Sequence, residues 1–143
     1  MALLEKLLEV RESTIPGAGM GLFTKECITK GTRVVEYKGR VTTWKNAEHK
    51  DGLNPYLFYV KSTHVIDTLL YKKSLARYAN DAKGLKKIKG ITNNCKFVID
   101  GLCVFLEAEK NIPGGSEILV GYGKEYWETT RKNHKLAEQQ FKL

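Results

Sequence analysis

Short runs of apolar residues recur along this chain, separated by turns rich in glycine, proline and asparagine. Several runs alternate between apolar and polar positions, which is the pattern of a half-buried β-strand. The pattern predicts strands over residues 22–24, 32–37, 57–61, 64–68, 97–100, 102–107 and 117–122. So many short strands at close spacing indicate a mainly β domain.

Helical spacing is confined to a few segments. Leucines at positions 3, 4, 7 and 8 predict a short amphipathic helix, although residues 8–12 equally suit the opening of a strand. Residues 43–50 predict one or two helical turns, residues 75–79 a single turn, and the polar segment 125–140 a C-terminal helix. The chain has 143 residues and no internal repeat, so we expect one domain.

Composition narrows the class of protein. At 42% hydrophobic and 28% charged residues, the chain is typical of a globular domain. Its three cysteines lack a C-x-x-C pair and its three histidines lie far apart, so we expect free thiols and no metal site. The charged N-terminus does not fit a signal peptide, and no apolar run reaches the ~20 residues of a membrane span. We therefore expect an intracellular protein.

The formal net charge of +8 favours an acidic partner, either nucleic acid or an acidic protein. A glycine-containing segment concentrates four of the cations: Lys83, Lys86, Lys87 and Lys89. This segment suits contact with phosphate or carboxylate groups, and it equally suits a solvated loop.

A glycine-rich loop spans residues 17–21. Glycines let backbone amides approach a ligand closely because no Cβ intervenes. The loop does not match the dinucleotide-binding fingerprint, since Leu22 follows and a strand rather than a helix is predicted there. Taken alone, it is as consistent with a plain turn as with a ligand loop.

Four segments occur together in one order: residues 17–23; residues 36–39; residues 76–80 with the later Asn94-Cys95; and residues 117–123. Together they resemble the SET-domain protein lysine methyltransferases, over roughly residues 8–128 and in a short form without the zinc-binding segment that often follows. The resemblance implies a fold of small curled β-sheets with a knot-like C-terminal threading. It also implies a single SET domain over 1–143, with residues 129–143 as a helical tail.

The resemblance implies that S-adenosylmethionine binds, that S-adenosylhomocysteine is the product, and that no metal takes part. The glycine loop would contact the methionine part of the cofactor, and Asn80 would hold it by side chain and backbone. The implied cofactor-binding residues are Gly17, Ala18, Gly19, Met20, Gly21, Asn80, Asp81, Tyr122 and Trp127.

The implied catalytic residues are three aromatics. Tyr122 resembles the family's active-site tyrosine, Tyr37 a second tyrosine of the lysine channel, and Phe97 the position that sets how many methyl groups are added. An aromatic channel suits the chemistry because it disfavours a charged ammonium and eases proton loss from lysine. For Tyr37 and Trp127, packing in the core is an equally good interpretation.

This sequence departs from the motifs of the SET-domain family at several positions. Asp81 and Ala82 stand where most members have histidine and serine, and Asn93 replaces a usual proline. The lysine segment is an insertion between Asn80 and Asn94. Two hypotheses therefore stay open. The first is an active protein lysine methyltransferase, located in the cytoplasm or on chromatin, whose substrates include histones or other chromatin proteins. The second is a non-catalytic SET-like module that binds an acidic protein or nucleic acid through its lysines.

Overall fold

The computed structural model describes residues 4–46, 57–68, 71, 73–82 and 90–122. Within these ranges nine strands form three antiparallel sheets of three strands each. The strands are β1 (Leu8–Glu12), β2 (Met20–Thr24), β3 (Arg33–Glu36), β4 (Arg40–Thr42), β5 (Leu57–Lys61), β6 (His64–Asp67), β7 (Cys95–Asp100), β8 (Cys103–Ala108) and β9 (Glu117–Ile118). The prediction of a mainly β domain is confirmed.

The three sheets have the orders β1-β2-β9, β3-β8-β7 and β4-β6-β5. The predicted strands over residues 97–100 and 102–107 form the β7–β8 hairpin, whose register runs from Cys95 opposite Ala108 to Asp100 opposite Cys103. Gly101 makes the turn with a φ of 64°, a left-handed conformation that glycine adopts without strain. Strand β4 was not predicted, because it is short and none of its three residues is buried.

The sheets share one hydrophobic core. The apolar residues of β2, β3, β8 and the C-terminal segment that face it are almost inaccessible to solvent. Burial alternates along β8, whereas neighbouring residues are buried together in β2 and β3. The fully buried members of the core include Leu22, Val34, Val104, Leu106, Ile118 and Val120. Burial of apolar surface, at about 25 cal/mol per Å², is therefore the main force that holds the sheets together.

Helical structure in the described ranges is brief. The N-terminal segment is both a helix and a strand, since the 3₁₀ helix Glu5–Leu7 leads directly into β1. A second 3₁₀ helix, Leu75–Tyr78, occupies the predicted helical turn. Residues 43–46 form a turn, while residues 47–50 and the predicted C-terminal helix lie outside the described residues.

Candidate active site

The site is built around the C-terminal segment 117–122. Only Glu117 and Ile118 form a regular strand, which pairs with β2. Leu119 and Val120 then make single parallel bridges to Asn80 and Cys95, respectively. The predicted strand over 117–122 is therefore shorter than expected, because the chain leaves its sheet after two residues.

Two other segments flank this one. The Val120 N–H donates to the Asn80 carbonyl at 2.8 Å, and the Asn94 N–H donates to the Leu119 carbonyl at 2.9 Å. The Asn94 side chain adds bonds to the Glu117 carbonyl and the Leu119 N–H, both at 2.9 Å. The segment thus lies between residues 79–82 and residues 93–95. The connection between those flanks, residues 83–89, lies outside the described residues, so the knot-like threading stays a prediction.

Four aromatic rings meet at a small cavity, here called the aromatic cavity. The centroid of the Phe97 ring lies 4.9 Å from that of Phe58, 5.9 Å from that of Tyr37 and 6.4 Å from that of Tyr122. The cavity has a volume of about 70 Å³. A single water needs about 10–15 Å³ by the same measure, so a short chain of heavy atoms fits. The wall is formed by Tyr37, Leu57, Phe58, Ala76, Arg77, Ala79, Phe97 and Tyr122.

Both tyrosine hydroxyls of the aromatic cavity are hydrogen-bonded. The Tyr122 hydroxyl donates to the Ala79 carbonyl. The Tyr37 hydroxyl shares a hydrogen bond of 3.2 Å with the Thr68 hydroxyl, and the Tyr37 ring is buried. These bonds fix the orientations of the two tyrosine rings. The three predicted catalytic residues, Tyr122, Tyr37 and Phe97, therefore line one cavity.

A second cluster, here called the polar junction, consists of Ser13, Thr14, Met20, Asn80 and Glu117. The Glu117 carboxylate is only 7% exposed, so it requires hydrogen-bond donors in place of water. It accepts from the Ser13 hydroxyl at 2.7 Å, the Thr14 hydroxyl at 2.6 Å and the Thr14 N–H at 2.9 Å. Glu117 thereby ties the start of the glycine loop to the C-terminal segment.

Asn80 connects the other end of the glycine loop. Its side-chain amide donates to the Met20 carbonyl at 3.0 Å and more weakly to Glu117 at 3.4 Å. Close packing here requires glycine at position 21, since a Cβ would lie 2.3 Å from a Glu117 carboxylate oxygen. Asn80 and the loop 17–21 are therefore in contact, as expected of a shared binding site.

The loop itself is open on its outer side. Gly17 and Gly19 have φ values of 78° and 75°, and a Cβ at either would meet no atom within 4 Å. Met20 is 48% exposed. Asp81, in contrast, is buried and accepts a hydrogen bond from the Tyr122 N–H at 2.9 Å.

Five residues named in the sequence analysis fall outside the part of the chain that the structure describes. Trp127 and the four lysines at positions 83, 86, 87 and 89 lie outside the described residues. The sequence did not predict a role in the site for two residues, Phe58 and Glu117. Phe58 resembles any aromatic residue on a strand, and Glu117 was noted only as part of a strand motif.

The remaining chemistry-bearing side chains do not suggest another centre. Within the described ranges no group of three or more His, Cys, Asp or Glu side chains is arranged to hold a metal ion. Cys27 and Cys103 are exposed free thiols. Burial raises the pKa of Cys95 to about 12, with a smaller contribution from Glu109, so this thiol stays neutral and unreactive. No helix in the same ranges is long and apolar enough to cross a membrane.

Comparison with known proteins bears on both fold and site. A family model described as the SET domain matches residues 19–123. The N-lysine methyltransferase KMT5A-A of Danio rerio is 27% identical over 123 residues, which cover 76% of this chain and 33% of that protein. The chain thus spans about a third of that relative's length.

Among solved structures, the methyltransferase domain of human PR domain-containing protein 2 superposes with a TM-score of 0.63. The match covers 85% of this chain and 80% of that one at 20% sequence identity. At this identity the likeness concerns the fold, and together with the family model it confirms the predicted SET fold of small antiparallel β-sheets.

Proposed function

The chain belongs to the SET-domain family, and from this premise we propose that it is an S-adenosylmethionine-dependent protein lysine N-methyltransferase. The observation that carries the proposal is the aromatic cavity beside Tyr122, joined through segment 117–122 to an open glycine loop. A cavity of this kind suits an aliphatic side chain, and the loop suits a second ligand.

The glycine loop and the adjoining Asn80 of the polar junction fit S-adenosylmethionine. Gly17 and Gly19 leave open space where side chains would otherwise stand, and Met20 offers an exposed apolar side chain. We assign Gly17, Ala18, Gly19, Met20, Gly21 and Asn80 to holding it. When bound, S-adenosylmethionine would supply a methyl group on a sulfonium: the bond from a neutral amine to the methyl carbon forms as the C–S bond breaks, and S-adenosylhomocysteine leaves as a neutral thioether.

The aromatic cavity would bind the substrate lysine and favour its neutral amine form. A free lysine has a pKa of about 10.4 and arrives charged. Contact with Phe58, Phe97 and Tyr37 replaces water by apolar surface, which disfavours the ammonium and promotes loss of its proton. Confining the side chain also aligns the amine, and alignment alone can contribute about 7–11 kcal/mol in favourable cases.

Tyr122 would orient the amine. Because its hydroxyl donates to the Ala79 carbonyl, it meets the substrate as a hydrogen-bond acceptor. When an amine N–H donates to the Tyr122 oxygen, the nitrogen lone pair points in another direction. Methyl transfer requires that the lone pair point at the methyl group. Its role is thus to position the nucleophile rather than to remove a proton.

We propose lysine-containing proteins, histones among them, as substrates. The name of the Danio rerio relative, N-lysine methyltransferase, supports lysine as the acceptor. The lysine segment 83–89 stays a predicted contact for an acidic or nucleic-acid partner.

The proposal can be tested by incubating the purified chain with methyl-labelled S-adenosylmethionine and a mixed pool of cellular proteins. We expect label in methyllysine after hydrolysis of the pool, and much less with a Tyr122→Phe variant. Binding of S-adenosylmethionine without any transfer to the pool would favour the non-catalytic binding module instead.

A further inference from the structure

The two main departures from the motif, Asp81 and Asn93, are bonded to each other. The Asn93 amide donates to Asp81 Oδ1 at 2.9 Å. The other Asp81 oxygen, Oδ2, accepts from the Tyr122 N–H at 2.9 Å. Asn93 Oδ1 in turn accepts from the Ala82 N–H at 2.7 Å. One side-chain pair therefore links three separate stretches of backbone.

These hydrogen bonds are strong because the Asp81 carboxylate that accepts two of them is buried. Asp81 is 3% exposed, and a carboxylate removed from water needs donors on its oxygens. Hydrogen bonds to an ionised group are shorter and stronger than neutral ones. The direction of bonding is also fixed, because the two polar atoms of the Asn93 amide bind different partners. The nitrogen donates to Asp81, and the oxygen accepts from the Ala82 N–H.

The pair acts on the proposed catalytic tyrosine at its backbone. The Tyr122 ring is fixed at its far end by the bond from its hydroxyl to the Ala79 carbonyl. Asp81 fixes the near end through the N–H of the same residue. Tyr122 is thus held at both ends by residues 79–82.

We propose that Asp81 and Asn93 are a coupled pair of positioning residues, which set where the Tyr122 hydroxyl stands in the aromatic cavity. This inference rests on the proposed function for its effect on catalysis, and on geometry alone for its effect on the Tyr122 N–H. It predicts that neither residue tolerates change alone, although the two can be exchanged.

An exchange of the two side chains tests this coupling. In Asp81→Asn alone, the new amide nitrogen must face another donor, either the Asn93 amide nitrogen or the Tyr122 N–H. Asn93→Asp alone sets two carboxylates against each other. The double variant Asp81→Asn/Asn93→Asp restores a donor opposite an acceptor, and it keeps acceptors for the Tyr122 and Ala82 N–H groups. Its net charge equals that of the native chain.

The first readout does not depend on activity: hydrogen exchange of the Tyr122 backbone amide, followed by NMR. We expect exchange about tenfold faster or more in each single variant, because the mismatched pair no longer holds the side chain at position 81 in place as an acceptor for the Tyr122 N–H. We expect a rate close to native in the exchanged pair. The second readout is transfer: kcat should fall about tenfold in each single variant and largely recover in the pair, while the KM for substrate changes less.

Each outcome has a definite meaning. If both single variants exchange Tyr122 as slowly as the native chain, or if the exchanged pair stays as fast as they do, the coupling is absent. If the single variants do not fold but the exchanged pair does, the coupling is supported. A native chain that transfers no methyl group would overturn the proposed function. The exchange rates of the Tyr122 amide would still show whether Asp81 and Asn93 are coupled.

Discussion

The aromatic cavity and the polar junction share segment 117–122, yet different forces hold them. In the cavity, rings contact one another at centroid distances from 4.9 to 6.4 Å. Each such pair contributes about 0.5–1.5 kcal/mol beyond area burial, and several neighbours share the packing of each ring. At the junction, one buried carboxylate accepts directed hydrogen bonds from Ser13 and Thr14.

This contrast indicates where the molecule tolerates change. Packing among several rings is redundant, so a small alteration in the cavity leaves the fold intact and changes the chemistry. A directed bond to a buried charge has no substitute, and its loss leaves desolvated donors behind. We therefore expect changes at the junction to affect folding and cofactor binding, and conservative changes in the cavity to affect turnover and product.

The largest expected effect is that of Glu117→Ala. It removes the acceptor of three hydrogen bonds from Ser13 and Thr14. We expect the free energy of unfolding to fall by about 3 kcal/mol or more, measured by urea denaturation. Glu9→Ala is the matched control, because Glu9 makes an exposed ion pair with Arg11 at 3.4 Å. Such pairs contribute about 0–1 kcal/mol, so equal losses for the two variants would show that Glu117 is not special.

Gly21→Ala should have the next largest effect. The new Cβ would lie 2.3 Å from Glu117 Oε2 and 3.2 Å from the Ser13 Cβ. Overpacking of this kind costs about 1–3 kcal/mol, and we expect weaker binding of S-adenosylmethionine as well.

Gly121→Ala provides the comparison for Gly21→Ala in the same denaturation experiment. Its Cβ would meet the Asn93 amide nitrogen at 3.6 Å, an ordinary contact. Since alanine also restricts the unfolded chain, we expect a change of no more than about 1 kcal/mol in either direction. A Gly121 variant as unstable as the Gly21 variant would mean that the contact with Glu117 is not the cause.

In the aromatic cavity, Tyr122→Phe should lower kcat by about tenfold or more, because the hydroxyl that orients the amine is lost. The dissociation constant for S-adenosylmethionine should stay within about threefold of native, since the ring still packs on Phe97. Tyr59→Phe is the control, as Tyr59 is 53% exposed and contacts Trp44 instead of the cavity. An unchanged kcat for Tyr122→Phe would show that Tyr122 contributes only packing.

The smallest expected effect is a shift in product with Phe97→Tyr. A hydroxyl added beside Tyr122 can hold the amine or a water by one neutral hydrogen bond, about 1 kcal/mol. That water would occupy room that a methyl group needs. We expect di- or trimethyllysine from the native chain and more monomethyllysine from the variant, by mass spectrometry at long reaction times. Monomethyllysine alone from both would show that Phe97 does not act in this way.

Much of the fold could be predicted because its strands carry a local pattern. The hairpin β7–β8 consists of two apolar runs joined by a turn at Gly101, so its signal lies among residues close together in the chain. Segment 117–122 carries the same apolar pattern, but its partners change from β2 to Asn80 and then Cys95. Periodicity specifies which residues are buried, and it does not specify which distant segment covers them.

The same limit applies to the site. Tyr122, Tyr37 and Phe97 were found through a family resemblance, and the structure brings them to one cavity. Glu117 was missed as a functional residue because its bond to Ser13 spans 104 positions along the chain. A glutamate next to apolar residues on a strand indicates a solvent-facing position unless its distant donors are known.

The cofactor site can be tested most directly by calorimetric titration of S-adenosylmethionine into the native chain and into Asn80→Ala. We assign the cofactor to the polar junction, where the Asn80 amide holds the Met20 carbonyl at 3.0 Å. We expect binding without added metal, weakened about tenfold or more by Asn80→Ala, and unchanged by Asn46→Ala, since Asn46 lies in an exposed turn. A folded native chain that binds no S-adenosylmethionine, or an Asn80→Ala variant that binds it as tightly as native, would contradict this assignment.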